Sequence, residues 1–115
     1  MRISLIQLDF IEDRVKGMAY EAEKLMGKEA TVTSLYRIDD NGVHGTLPVR
    51  GIDLRCKEDL VGEYVERTMN ERYVYDPERP WKNVCTYHDV GMGKHVHLQS
   101  HPNTILRKEY ENGKR

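Results

Sequence analysis

The apolar positions of the chain fall into two helical patterns. Over residues 9–27 the apolar side chains recur at spacings of three and four, which places them along one face of a helix. Gly27 stands at the end of this pattern, where glycine commonly terminates a helix. Residues 57–70 repeat the same spacing of apolar side chains. We therefore predict two amphipathic helices, each with one face for a hydrophobic core.

Four shorter segments have the composition of β-strands. Residues 30–37 and 51–56 lie between the two helical patterns and are rich in β-branched and other apolar side chains. Residues 83–88 and 94–99 flank the short Gly91-Met92-Gly93 segment, which predicts an antiparallel hairpin. The fold class that follows is α+β, with two helices on one face of a small, largely antiparallel sheet.

Length and charge limit the domain organisation and the partners. The 115 residues suit one domain with a single core, which we expect over residues 1–107, with a charged tail at 108–115 that frays. The 18 basic and 19 acidic side chains give a net charge of −1, which argues against a nucleic-acid interface. No apolar run can cross a bilayer and residues 1–10 do not resemble a secretory signal, so we expect a cytoplasmic protein without membrane contact. Cys56 and Cys85 are expected to be buried, reduced thiols.

Histidine is the unusual feature of the composition. The chain has five histidines, and fourteen consecutive residues contain four of them: His88, His95, His97 and His101. His95 and His97 alternate on a predicted strand, so both imidazoles point to the same side of the sheet. Such a pair can bind one metal ion, or supply one ligand and one proton acceptor. The other interpretation is a pair of partly exposed histidines on an edge strand.

Asp53 strengthens the interpretation as a metal site. It lies between Ile52 and Leu54 on a predicted strand, where a carboxylate is expected to face inward or into a cleft and to need a cationic partner. His44 lies upstream in a loop that contains glycine. Two histidines and one aspartate, with a fourth position for water, form a ligand set typical of catalytic zinc.

Three short motifs follow one another along the chain: Thr33-Ser34-Leu35-Tyr36-Arg37, the segment from His44 to Asp53, and His95-Val96-His97-Leu98-Gln99. The first two resemble the T-S-G-Y-R and H-x-x-G-x-A-x-D elements of the D-Ala-D-Ala carboxypeptidases and the L-alanyl-D-glutamate endopeptidases of phage endolysins. The third is similar to their last ligand segment and closer to the H-x-H of the hedgehog signalling domain. The order of the elements also agrees over about residues 18–99.

The resemblance implies a hedgehog/DD-peptidase-like fold in which His44, Asp53 and His97 hold zinc. It places Arg37 near the substrate carbonyl or carboxylate, where a guanidinium can stabilise a developing oxyanion. It also implies a zinc peptidase that hydrolyses amide bonds in the peptides of bacterial peptidoglycan. We expect a phage or prophage product that is released to the cell wall by lysis or carried in a virion.

The chain departs from the family pattern in two places. The spacing from His44 to Asp53 is two residues longer, which places two additional residues in the loop between them. The carboxypeptidases have an acidic base three residues before the last ligand, and this position is Lys94 here. We therefore predict that His95 is the base, because an imidazole titrates near neutral pH. Asp89 and His88 are the further candidates.

Two other hypotheses remain open at this stage. One is a non-catalytic, zinc-containing binding domain of the same fold, which the loss of the acidic base at Lys94 would favour. The other is a metal-free α+β module with histidines clustered on its surface. We expect His88 and His101 to have ordinary structural roles. The aromatic side chains around the proline-containing loop at residues 73–82 are expected to pack in the core or to shape a substrate groove.

Overall fold

A four-stranded sheet and the helices on one of its faces form the centre of the fold. The computed structural model describes residues 11–36, 49–89, 91 and 93–113. Within them the elements run as follows: helix α1 (Asp13–Met26), strands β1 (Val32–Tyr36) and β2 (Gly51–Arg55), helix α2 (Asp59–Arg72), strands β3 (Tyr73–Val74), β4 (Cys85–Asp89), β5 (Lys94–Gln99) and β6 (Ile105–Leu106), and helix α3 (Arg107–Gly113). The described residues thus form an α+β structure, which is the predicted fold class. They contain three helices, one more than the hydrophobic pattern predicts.

All neighbouring strands of the main sheet are antiparallel. Its order is β1-β2-β5-β4, and β3 pairs with β6 in a separate two-stranded ribbon. The predicted hairpin is confirmed, since β4 and β5 pair with Asp89 opposite Lys94 next to the glycine turn. The sheet therefore brings β2 into direct contact with β5, although more than thirty residues separate them in the sequence.

Alternation along the strands decides which side chains enter the core. Ile52 and Leu54 of β2 and Val96 and Leu98 of β5 are completely buried. They pack with the apolar faces of the two long helices, which contribute Val15, Met18, Ala19, Ala22, Val65 and Met69. The prediction of two helices on one face of the sheet is confirmed. The intervening residues, among them Asp53, His95 and His97, consequently belong to the opposite face.

The ends of α1 follow ordinary capping chemistry. The Glu12 carboxylate accepts a hydrogen bond from the backbone N–H of Val15 at 2.9 Å and caps the first turn. At the other end Gly27 has φ 74°, a left-handed conformation that glycine adopts without steric cost, and its N–H donates to the carbonyls of Glu23 and Lys24. Gly27 thus ends the helix where the sequence predicts.

The C-terminal segment begins at Arg107, the last residue of the predicted domain, and the expected fraying of residues 108–115 stays a prediction. Residues 107–113 form α3, directly after β6. The Arg107 guanidinium donates hydrogen bonds to the backbone carbonyl oxygens of Asn70 and Tyr73, at the end of α2. These are contacts with a distant part of the chain, which the charged composition of the segment does not reveal.

The structure also bears on the two cysteines and on the prediction that no segment crosses a membrane. Cys56 and Cys85 are free and buried, as predicted. In the described part of the chain no helix combines the length and the apolar character needed to cross a membrane.

Gly62 of α2 lies directly against Tyr87 of the sheet. A Cβ atom at this position would overlap the ring of Tyr87. The ring cannot move freely, because its hydroxyl donates a hydrogen bond to Asp59 at 2.9 Å and the Tyr87 backbone N–H donates to Glu66 at 2.8 Å. We expect Gly62→Ala to lower the free energy of unfolding by about 1–3 kcal/mol, as overpacking does. Urea unfolding measures this change.

Gly17→Ala is the matched control for this substitution. Gly17 lies in the interior of α1 with open space around its Cβ position, so alanine should stabilise the protein there by about 0.5–1 kcal/mol. The opposite signs of the two changes separate packing from helix propensity. Equal stabilisation by both substitutions would contradict the close approach of Gly62 and Tyr87.

Candidate functional site

Three adjacent strands carry the polar side chains of the sheet face that is opposite the helices. In the register of β2 and β5, Asp53 pairs with His97 and Arg55 pairs with His95. In the register of β4 and β5, His88 pairs with His95. Directly paired residues project to the same face of a sheet. We call the surface formed by Asp53, Arg55, His88, His95 and His97 the histidine face.

Asp53 is the centre of the histidine face. Its Oδ1 lies 2.7 Å from Nδ1 of His97, and its Oδ2 lies 3.3 Å from Nε2 of His95. The side chain of Asp53 is only 4% exposed, against 7% for His95 and 19% for His97. A carboxylate this deeply buried needs cationic or hydrogen-bonding partners, and the two imidazoles serve as such partners. The sequence-based expectation of an inward-facing Asp53 is therefore confirmed.

The ring of His95 is held from both sides. Its Nδ1 lies 3.0 Å from the carbonyl oxygen of Gly93, which can only accept a hydrogen bond, so Nδ1 carries the proton. In the neutral imidazole the lone pair is then on Nε2, the atom that faces Asp53. This arrangement suits a group that accepts and returns a proton.

His88, for which the sequence favours an ordinary structural role and which is also a further candidate for the base, belongs to this cluster. Its ring packs edge-on against His95 with 4.6 Å between the centroids, and it lies 6.3 Å from the ring of His97. Burial, together with the nearby imidazoles of His95 and His97, lowers the pKa of His88 from its ordinary value. This lowered pKa favours the neutral form of the His88 ring. The sequence could have predicted this contact from the register of the hairpin, since pairing Asp89 with Lys94 places His88 opposite His95.

The other candidate residues lie away from the cluster or outside the described residues. Arg37 and His44 are in the second group. Asp89 alternates with His88 on β4, and its Oδ1 accepts hydrogen bonds from the backbone N–H groups of Gly91 and Gly93 in the turn. The structure therefore does not bring Asp89 to the histidine face. His101 accepts a hydrogen bond from the Asn103 N–H and packs near Tyr75, in another part of the fold.

Lys94 also points away from the cluster. It alternates with His95 on β5 and forms a 2.8 Å ion pair with Asp59 at the start of α2, on the helix side of the sheet. A side chain at this position is therefore directed away from Asp53 and His97. An acidic residue in place of Lys94 would face Asp59 instead of the histidine face.

The donor atoms of the cluster suit zinc in type. Zinc in proteins binds imidazole nitrogen and carboxylate oxygen, which His97 and Asp53 supply. Two donors on one tetrahedral zinc ion lie about 3.3 Å apart, so the 2.7 Å between Asp53 Oδ1 and His97 Nδ1 is the spacing of a hydrogen bond. Within residues 11–36, 49–89, 91 and 93–113, no three His, Cys, Asp or Glu side chains are arranged to hold a metal ion. The third ligand that the resemblance implies, His44, is outside these residues.

Comparisons with protein-family models, with curated proteins and with solved structures give no match to this chain.

Proposed function

We propose that the chain is a zinc-dependent peptidase that hydrolyses amide bonds in peptidoglycan peptides. The observation that carries the proposal is the direct pairing of Asp53 with His97 across β2 and β5, with His95 in contact with the same buried carboxylate. The order of two strands after α1 and of a further hairpin after α2 also supports a hedgehog/DD-peptidase-like fold, which the three sequence motifs imply.

The proposed ligands are Asp53 and His97, together with His44. Zinc bound by these residues would polarise the scissile carbonyl and lower the pKa of a water molecule towards neutrality. The Asp53 carboxylate also contacts the proposed base, because its Oδ2 lies 3.3 Å from Nε2 of His95. One buried carboxylate thus serves the ion and the base together.

His95 is the proposed proton carrier. The Gly93 carbonyl holds Nδ1 in its protonated form, so Nε2 is the atom that takes a proton from the attacking water and returns it to the leaving amine. His88 packs against the ring of His95 and limits its rotation. Arg37 is the proposed contact to the substrate carbonyl or carboxylate, as the resemblance implies.

The setting of the reaction is proposed on the same basis. A peptidoglycan peptidase of the endolysin type would be encoded by a phage or a prophage. It would reach the cell wall after lysis of the cytoplasmic membrane, or within a virion.

Digestion of purified peptidoglycan, followed by mass spectrometry of the released fragments, tests the proposal. We expect the protein as purified to release peptides with new amino or carboxyl termini. Incubation with 1,10-phenanthroline should remove this activity, and zinc added in excess should restore it. Cleavage that is insensitive to the chelator, or no cleavage by protein that has been supplied with zinc, would contradict the proposal.

A binding domain without catalysis is the second candidate. The observation in its favour is Lys94, which replaces the family's acidic base and pairs with Asp59 on the helix side. In that case the protein would bind zinc and peptidoglycan peptides and leave their amide bonds intact. Binding of intact muropeptides to zinc-loaded protein, without any release of fragments, would distinguish this function from hydrolysis.

A further inference from the structure

Arg55 is the residue of the histidine face that the proposed mechanism does not use. It occupies the last position of β2, two residues after Asp53 and directly opposite His95 in the register with β5. Alternation along the strand places it on the same face as Asp53, because Ile52 and Leu54 point into the core. The side chain of Arg55 is exposed. The guanidinium of Arg55, which is always positively charged near neutral pH, therefore lies at the edge of the cluster.

Arg55 differs from most other arginines of the described elements in having no partner of its own. Arg72 forms an ion pair with Glu21, Arg14 and Arg67 lie over tyrosine rings, and Arg107 donates to backbone carbonyls: the guanidinium groups of Arg14, Arg67, Arg72 and Arg107 are all engaged. Within the described part of the chain, the guanidinium of Arg55 has no hydrogen bond, ion pair or ring contact. It is consequently available to an anion from outside.

The neighbours of Arg55 favour an anionic ligand. Asp53 is the acidic side chain of the histidine face, and both of its oxygens are in contact with imidazoles. His95 and His88 lie next to Arg55 in the cross-strand row, and neither carries negative charge. Among the described residues no acidic side chain forms an ion pair with this guanidinium, so it can bind an approaching carboxylate.

We propose that Arg55 binds a carboxylate of the peptide substrate close to the scissile bond and thereby determines substrate specificity. The inference rests on the proposed peptidase function, because a peptide seated across Asp53, His95 and His97 brings its next residue over Arg55. A guanidinium forms two parallel hydrogen bonds with a carboxylate, which fixes both the position and the orientation of the peptide. The ligand class is a peptide with a free carboxylate at its C-terminus or on a side chain near the cleaved bond.

The test compares wild-type protein, Arg55→Gln and Arg55→Lys on a set of synthetic muropeptides in which each carboxylate is amidated in turn. We expect Arg55→Gln to lower kcat/KM for the unmodified peptide by about 10- to 100-fold, the range for a lost charge-assisted hydrogen bond. Amidation of the carboxylate that Arg55 binds should lower the kcat/KM of the wild-type protein by the same factor as Arg55→Gln. On that amidated peptide, Arg55→Gln should cause no further loss of kcat/KM. Arg55→Lys should retain part of the effect, since it keeps the charge without the two parallel bonds.

Arg67→Gln is the matched control. It removes the same charge from an exposed arginine of α2, on the helix side of the sheet, and should leave the preference among the peptides unchanged. Calorimetric binding of the same peptides provides a readout that does not depend on turnover. Both measurements use the full chain supplied with zinc.

The outcomes separate the inference from the proposed function. Cleavage with the same dependence on amidation in wild type and Arg55→Gln would overturn the role of Arg55 and leave the peptidase intact. Binding that depends on Arg55 without cleavage would overturn the peptidase and support the carboxylate site. A wild-type protein that neither binds nor cleaves any peptide of the set would overturn both.

Discussion

Asp53→Asn should abolish zinc binding and reduce peptide cleavage by at least about 10³-fold, the scale expected when metal assistance is lost. Asparagine preserves the shape of the side chain but removes the negative charge that the proposed metal site requires. It also changes both contacts of the carboxylate, the 2.7 Å bond to His97 and the 3.3 Å approach to His95. A single substitution thus affects the ion and the proposed base together.

Metal analysis and thermal unfolding measure this effect independently of activity. Wild-type protein should contain about one equivalent of zinc, and its Tm should rise when zinc is added, because a ligand that binds only the folded state stabilises it. Asp53→Asn should contain little zinc and show no such rise. Asp13→Asn is the control, since Asp13 is 97% exposed at the start of α1. Equal zinc content in wild type and Asp53→Asn would contradict the assignment of Asp53 as a ligand.

His95→Ala should reduce kcat by about 10²- to 10⁴-fold while the protein keeps its zinc, because this is the contribution of a positioned general base. The ring of His95 is buried between the Gly93 carbonyl and the Asp53 carboxylate, so removing it leaves the proposed ligands in place. Steady-state kinetics on a muropeptide, combined with metal analysis of the same preparation, measures both quantities. Loss of zinc together with activity would show that His95 acts in metal binding instead of proton transfer.

His95→Gln separates proton transfer from orientation of the site. The amide of glutamine can donate a hydrogen bond to Asp53, but it cannot take up a proton at neutral pH. If His95 is the base, His95→Gln should be as inactive as His95→Ala. Near wild-type activity of His95→Gln would mean that His95 only positions Asp53.

The sequence was sufficient to predict the main layers of the fold. Apolar spacing predicted α1 and α2, and the glycine turn after β4 predicted the hairpin with β5. The position of Asp53 between Ile52 and Leu54 also predicted an enclosed carboxylate, and Asp53 is buried. These features depend on local periodicity, which short segments of sequence record directly.

Contacts between distant segments were less accessible from the sequence. The strands β3 and β6 have two residues each, too few for any periodic signal, and they pair across about thirty residues of chain. The helix α3 follows β6 in a segment whose charged composition suggested a frayed tail. Its attachment by Arg107 to carbonyl oxygens of Asn70 and Tyr73 is a tertiary effect. Local composition cannot predict such a contact.

In the candidate site, too, local features could be predicted from the sequence, whereas contacts between strands could not. The alternation of His95 and His97 was visible in the sequence, whereas their contact with Asp53 depends on the pairing of β2 with β5. The proximity of His88 depends on the register of the hairpin, which places it opposite His95. Asp89, the adjacent residue on β4, was a candidate base by its chemistry, but alternation directs its side chain to the turn.

Anomalous scattering from a crystal of the zinc-loaded protein, recorded on both sides of the zinc absorption edge, tests the central claim most directly. The account predicts one strong peak on the histidine face, about 2.0–2.2 Å from a carboxylate oxygen of Asp53 and from a ring nitrogen of His97. A ring nitrogen of His44 at a similar distance from the peak would complete the proposed set of three zinc ligands. The absence of a peak at Asp53 and His97, or a zinc ion held by other residues, would contradict the account.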